Sequence, residues 1–334
     1  MRSFRPAVLL IVTVLAACDN VQWGGADLHV VPPPPPSGMT EIEPDAQEFM
    51  DLGLPRAPVL FHVTRGERGA TLLPVAELSG DTLRAIRRPA GVSPEAYESR
   101  FREAVLQPGA QYTLFRRGAP VGSFTVQGQG PITACGVPTA TGTVTAVAAA
   151  TDVSEFLAFQ RGLGPDIRGD YNPPQITGSI RRYASIVAER LVLQAGLPRP
   201  RSWPGAQRDL QAIDVIPGGE PEMATTYLSG DRLGVGAAEP GGYSVFYIAD
   251  FEVRRGYQPL YSEVRNYDKA GGKSAPRVVD YLDFSGKEEQ EILVQVYGPT
   301  QSWYEMIHRD GRGRWVKGWQ GQPCPGGAAT PPAR

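Results

Sequence analysis

Residues 291–297 read EILVQVY, and their alternation indicates a β-strand. Ile292, Val294 and Val296 would share one face of the strand, whereas the residue that follows each of them would share the opposite face. Similar short runs lie on both sides of this stretch, and the segments between them are rich in Gly, Asp and Pro. Because short connections suit antiparallel neighbours better than β-α-β crossovers, we predict an antiparallel sheet around this strand.

The C-terminal half also contains one helical pattern. Apolar residues recur at positions 180, 183, 184, 187 and 191, which is the spacing of an amphipathic helix, and Gly196 and Pro198 stop it. Strands are predicted at 210–216, 224–228, 243–254, 257–267, 277–282, 291–297, 303–308 and 315–319. This half is therefore expected to combine one main helix with an antiparallel sheet.

The N-terminal half is mostly strand-like between residues 59 and 127, with a hairpin around Gly118-Ala119-Pro120. One helix is predicted at 95–106, behind a serine N-cap and a proline. The fold class is thus α+β and β-rich. The predicted divisions are an N-terminal β-rich domain at 56–160, a linker rich in Gly and Pro at 161–178, a C-terminal α+β domain at 179–325 and a disordered tail at 326–334.

Charge is nearly balanced, with 33 Lys and Arg residues against 35 Asp and Glu residues. No global field would gather a polyanion, so nucleic acid is not expected as a partner. The arginine pairs are scattered along the chain and are interpreted as solvated surface: 87–88, 116–117, 181–182 and 254–255.

The chain opens with two early arginines, an apolar run at 7–17 and the box Leu15-Ala16-Ala17-Cys18. This layout resembles the signal of bacterial lipoproteins. The resemblance implies that residues 1–17 are removed, that Cys18 carries a diacylglycerol and that the new N-terminus is acylated, for example with palmitate. The protein would then be anchored in the bacterial cell envelope, at the inner or the outer membrane, facing the periplasm. The alternatives are an ordinary secretory signal cut near Ala17 and a cytoplasmic protein with a chance apolar start.

Residues 18–55 are interpreted as an acylated cysteine followed by a proline-rich tether. Five consecutive prolines at 32–36 would adopt polyproline II and act as a semi-rigid spacer. The alternative is a docking motif for a proline-binding partner. We expect proteolysis to trim the chain to a core starting near Arg56.

Cys135 and Cys324 are the cysteines that remain once Cys18 is assigned to lipid. In an oxidising compartment two leftover cysteines are expected to pair, which would tie the end of the chain to its first half. The alternative is two separate thiols.

Asp283-Phe284-Ser285-Gly286, followed by Glu291 and an apolar strand, resembles the calcium loop of FG-GAP repeats. That resemblance implies Asp283, Ser285 and Glu291 as calcium ligands. Lys287 stands where a further acidic ligand is expected, and a cation inside a calcium site is unfavourable. We therefore predict an acidic turn that does not need calcium.

Other features point away from catalysis. The three histidines are isolated, and neither zinc-ligand spacing nor a Gly-x-Ser-x-Gly elbow is present, so no catalytic residue, metal or cofactor is assigned. Trp315 and Trp319 would share one strand face with Lys317. Exposed, that face is a possible binding surface for sugar rings, whereas buried it would pack on the helix, which is the interpretation we favour.

The predicted function is that of a membrane-anchored, periplasm-facing lipoprotein that acts as a non-catalytic binding or assembly module. Its partners would be the membrane, through the lipid, and an envelope protein or glycan. The alternative is an envelope hydrolase whose site is assembled from residues distant in sequence. A cavity with converging histidines or perturbed carboxylates would favour the hydrolase, and a smooth surface with an aromatic patch would favour the binding module.

Overall fold

The computed structural model of the chain describes residues 52–67, 69–80 and 82–325. Cys18, most of the tether and the tail at 326–334 lie outside the described residues, so these predictions stay untested. None of the helices in the described ranges is long and apolar enough to cross a membrane.

The described residues form sixteen strands, three α-helices and one 3-10 helix at Ala148–Ala150. The helices are α1 (Pro94–Val105), α2 (Gly178–Gln194) and α3 (Trp203–Ala206). The strands are β1 (Val59–Gly66), β2 (Gly69–Ser79), β3 (Thr82–Arg84), β4 (Gln111–Arg116), β5 (Ala119–Ile132), β6 (Pro138–Ala146), β7 (Glu155–Gln160), β8 (Gln207–Ile213), β9 (Glu222–Ser229), β10 (Tyr243–Glu252), β11 (Gly256–Asn266), β12 (Ala275–Leu282), β13 (Glu291–Tyr297), β14 (Gln301–Arg309), β15 (Trp315–Gln320) and β16 (Cys324–Pro325).

The first sheet is built from the N-terminal half in the order β1-β7-β4-β5-β6-β2-β3. Because β1 also pairs with β2, the sheet closes on itself around an apolar core that includes Phe61, Tyr112 and Phe124. Helix α1 adds Tyr97 and Phe101 to that core and begins behind the serine N-cap, as predicted. The β-rich character of this half is confirmed.

The C-terminal half contains two sheets, where the sequence analysis expected one. The second sheet has the order β11-β10-β9-β8, and the third has the order β12-β13-β14-β15, with β16 paired to β14. In β10, Val245 and Tyr247 pack in the cluster beneath α2, whereas Phe246 and Ile248 pack against the third sheet. A strand that is apolar on both faces needs a covering layer on each side, so these strands divide into stacked sheets.

Strand β13, where the sequence pattern was clearest, packs against another sheet on each of its faces. Ile292, Val294 and Val296 pack against the second sheet, and Leu293 packs in a cluster with Phe159 of the first sheet. The predicted alternation is confirmed. The described residues belong to one compact unit, and the proposed boundary at 161–178 stays a prediction.

Candidate functional site

A cavity of about 470 Å³ opens between the first and third sheets; we call it the inter-sheet cavity. Strands β1 and β2 line one side, the connection between β5 and β6 lines another, and β14 and β16 complete it. Leu73, Ile132 and Trp303 contribute apolar surface, and threonines such as Thr71 add hydroxyl groups. A mostly apolar concave surface with a few polar groups is the usual character of a small-molecule site.

His62 and Tyr304 form a hydrogen-bonded pair in the cavity wall. Nδ1 of His62 lies 2.8 Å from the hydroxyl oxygen of Tyr304, and the two rings meet edge-on at 5.9 Å between centroids. On its other side, Nε2 of His62 lies 3.4 Å from a carboxylate oxygen of Glu155. The imidazole is 2% exposed, so its position is set by these two neighbours.

Glu155 is in turn held by Arg277 across the boundary between the first and third sheets. The Arg277 guanidinium donates two hydrogen bonds to the carboxylate, at 2.9 and 2.6 Å, and also donates to the Tyr297 hydroxyl and to Oε1 of Gln295. Burial acts to raise the pKa of Glu155, but hydrogen bonds and charge from His62 and Arg277 outweigh it and hold that pKa well below its usual range. The carboxylate is therefore ionised and fixed.

The arrangement suits ligand orientation better than bond cleavage. Burial raises the pKa of Tyr304, so its hydroxyl stays protonated and is a poor nucleophile. A protonated phenol beside a fixed imidazole can donate or accept one hydrogen bond to a polar group of a ligand. Cys135 and Cys324, the sulfur-bearing residues of the lining, are bonded to each other.

The disulfide lies in the cavity wall. The sulfur atoms of Cys135 and Cys324 are 2.09 Å apart and the Cα atoms are 5.3 Å apart, within the range that a disulfide requires, as predicted. The bond connects the loop between β5 and β6 to β16, so it holds together two sides of the inter-sheet cavity.

The loop that resembles a calcium site uses its carboxylates for its own backbone. Asp283 accepts hydrogen bonds from the backbone N–H groups of Lys287 and Glu288, at 3.1 and 2.8 Å, and Glu291 accepts one from Phe284 at 2.6 Å. Burial raises the pKa of Glu291, which also disfavours a charged ligand there. Among the residues that the structure describes, no group of three or more acidic, histidine or cysteine side chains is arranged to hold a metal.

The prediction that Trp315 and Trp319 share one face of β15 is wrong. Trp315 is buried between the second and third sheets, whereas Trp319 packs against the cluster between the first and third sheets. The cause is a β-bulge: Lys317 pairs with one residue of β14 and Trp319 with the preceding one, which leaves Gly318 as an extra residue and changes the alternation. A side chain at Gly318 would meet the His308 ring, so any larger residue there would require that ring to shift.

The network of Glu155, His62 and Arg277 was not predicted from the sequence. Each is a charged or polar residue in a mostly apolar strand, namely β7, β1 and β12. That polarity was the available signal, because a buried charge requires a partner. Glu155 and Arg277 are 122 residues apart in the chain, and no local pattern could pair them.

Comparison of this chain with protein-family models, with curated proteins and with solved structures finds no match.

Proposed function

We propose that this protein is a membrane-anchored envelope lipoprotein that acts as a non-catalytic binding module, and that the inter-sheet cavity is its ligand site. The observation that carries the proposal is a mostly apolar cavity with one fixed hydrogen-bonding pair, His62 and Tyr304, in its wall. Such a surface favours a ligand with an apolar body and a single polar group, because the apolar part gains from burial and the polar group needs a partner.

A substitution that fills the cavity tests this proposal. Ala85 lines the cavity from a loop, and Ala90 is an exposed residue of the same loop that does not line it. We expect the neutral fluorescent probe N-phenyl-1-naphthylamine to bind the wild-type protein saturably, Ala85→Trp to weaken binding at least about tenfold, and Ala90→Trp to leave it unchanged. Equal binding by the two variants, or no saturable binding, would contradict a cavity ligand site.

The anchor is tested separately. Detergent partitioning of the wild-type chain and of Cys18→Ser should place the first in the detergent phase and the second in the aqueous phase, since the acyl chains supply the membrane affinity. If the two chains partition alike, the lipoprotein interpretation is wrong.

An envelope hydrolase is the second candidate, and one observation favours it. His62 lies between an ionised carboxylate and a hydroxyl, which is the order of groups in many nucleophilic sites. Hydrolysis of p-nitrophenyl acyl esters by the wild-type protein, abolished in His62→Gln, would support this candidate. We expect no hydrolysis above the spontaneous rate, because Tyr304 keeps its proton.

A further inference from the structure

Two of the four arginine pairs that are scattered in the sequence come together at one surface. The ring of Tyr183 on α2 packs against Gly256 at the turn between β10 and β11, and it lies 5.9 Å from the ring of Tyr257. Further along the helix, Arg190 donates a hydrogen bond to Gln258 at 3.0 Å. The helix and the turn therefore present a common surface, which we call the basic face. Its members are Arg182, Ile186, Leu193, Val253, Arg254 and Arg255.

The basic face exposes apolar side chains that the fold does not cover. Val253 is 91% exposed at the tip of the turn, and Ile186 and Leu193 on α2 are 44% and 53% exposed. Ile186 and Leu193 lie two helical turns apart on the side of α2 that points away from the core. Exposed apolar groups grouped with charged ones are typical of an interaction surface.

The charge of this surface is positive. Helix α2 and residues 252–255 together carry five arginines and two glutamates. Both glutamates are already neutralised: Glu189 pairs with Arg199 at 2.7 Å, and Glu252 pairs with Arg255 at 3.4 Å. Among the described residues, the guanidinium groups of Arg182 and Arg254 make no hydrogen bond or ion pair, and that of Arg182 lies over the Tyr183 ring, 5.9 Å from its centroid.

We propose that the basic face docks on the surface of an anionic phospholipid bilayer, with Val253 entering the interface between headgroups and acyl chains. Arginines attract anionic headgroups and an apolar tip gains from burial, and a surface that offers both suits this occupant. Helix α2 covers the side of the second sheet opposite the third sheet, so docking leaves the inter-sheet cavity uncovered. The proposal goes beyond the ligand site and does not depend on it.

The test uses the full chain reconstituted into vesicles, with Val253→Cys labelled by bimane. We expect blue-shifted bimane emission and quenching by a spin label in the bilayer when the vesicles contain phosphatidylglycerol, and neither effect with phosphatidylcholine alone. Added salt should reduce both effects, because the attraction is electrostatic. Emission typical of water in both kinds of vesicle would overturn the proposal.

A matched pair of charge variants separates this face from general charge effects. Arg182→Glu with Arg254→Glu should weaken insertion of the label about tenfold or more, since each basic residue near an anionic surface contributes to binding. Arg87→Glu with Arg312→Glu changes the net charge equally at exposed positions outside the basic face and should leave insertion unchanged. If the two variants behave alike, or if the label responds only to an added acidic protein, docking on lipid is wrong. A failed anchor would instead appear in the partitioning of Cys18→Ser.

Discussion

Glu155 and Glu222 occupy equivalent places in two regions of the molecule, yet folding shifts their pKa values in opposite directions. Each is the first residue of a strand, β7 or β9, and each is buried. Beside the inter-sheet cavity, His62 and Arg277 outweigh burial and lower the pKa of Glu155. In the second sheet, burial above all raises the pKa of Glu222 to about 7.

The two pKa values differ because the neighbouring sheet places a cation beside Glu155 but not beside Glu222. Where the first and third sheets meet, β12 places the Arg277 guanidinium against Glu155. In the second sheet, Glu222 receives a hydrogen bond from the backbone N–H of Val215 at 2.8 Å, and the negative charges of Asp250 and Asp214 raise its pKa further. A buried glutamate is thus held as an anion in one region, whereas in the other its pKa is raised and it binds a proton more readily.

The largest effect is expected from removing the disulfide between Cys135 and Cys324, which lies in the wall of the cavity beside Glu155. The bond joins residues 189 positions apart, and in the chain-entropy model so long a loop is worth about 5 kcal/mol. We expect Cys135→Ser with Cys324→Ser to lose an amount near this in urea unfolding of the full chain. Wild-type protein under reducing conditions is the matched control and should lose the same amount. Unchanged stability in both samples would contradict a structural role for the bond.

Removing the cation that faces Glu155 is the next largest change. Arg277→Met leaves a buried carboxylate without its ion pair, and we expect a loss of about 3–5 kcal/mol. Arg254→Met, on the exposed basic face, should change stability by less than about 0.5 kcal/mol. Both values come from urea unfolding at neutral pH.

The pH dependence gives that variant a second readout. Because the pKa of Glu155 is lowered by folding, its contribution to stability is present above the unfolded pKa of 4.5 and is lost as the pH falls below that value. In Arg277→Met this loss on acidification should shrink or reverse. If the stability of Arg277→Met falls on acidification as steeply as that of the wild type, Arg277 is not what lowers the pKa of Glu155.

Glu222 should show the opposite pH dependence. Its folded pKa of about 7 lies above the ordinary glutamate value of 4.5, so the folded protein holds a proton that the unfolded chain releases, and stability falls as the pH rises from 4.5 through 7. Glu222→Gln should therefore be nearly neutral at the acidic end and stabilising by about 1–3 kcal/mol at a pH near 8. Melting temperatures across this range measure the effect. Glu220→Gln, at an exposed position two residues earlier, should leave the profile unchanged.

Local pattern predicted much of the fold. The alternation in β13, the N-cap of α1, the amphipathic helix α2 and the pairing of Cys135 with Cys324 all depend on residues or chemistry that the sequence displays directly. Alternation cannot show how many layers cover a strand, so the division of the C-terminal half into two sheets was missed.

The candidate site was less accessible to sequence reasoning. Its network joins Glu155, His62 and Arg277 from three strands, and only the closed first sheet and its packing on the third bring them together. The bulge at Gly318 shows a second limit, because one extra residue sends Trp319 to the face opposite the predicted one. Both features depend on tertiary placement, on which local spacing carries no information.

Glu291 supplies a third case and the smallest expected effect. It is also a buried glutamate at the start of a strand, and its pKa is raised chiefly by burial, with Asp283 adding to the effect. Here backbone N–H groups take the place of a cation, because Asp283 and Glu291 together accept hydrogen bonds from three of them. Carboxylates that already accept hydrogen bonds from the backbone offer little to a hard cation. We expect excess calcium, compared with chelator, to change the melting temperature by less than about 1 °C, and Asp283→Ala to cost about 1 kcal/mol equally in both conditions. A rise of several degrees with calcium that disappears in Asp283→Ala would instead make this loop a calcium site, and Glu291 would join Glu155 as an anion fixed by a cation.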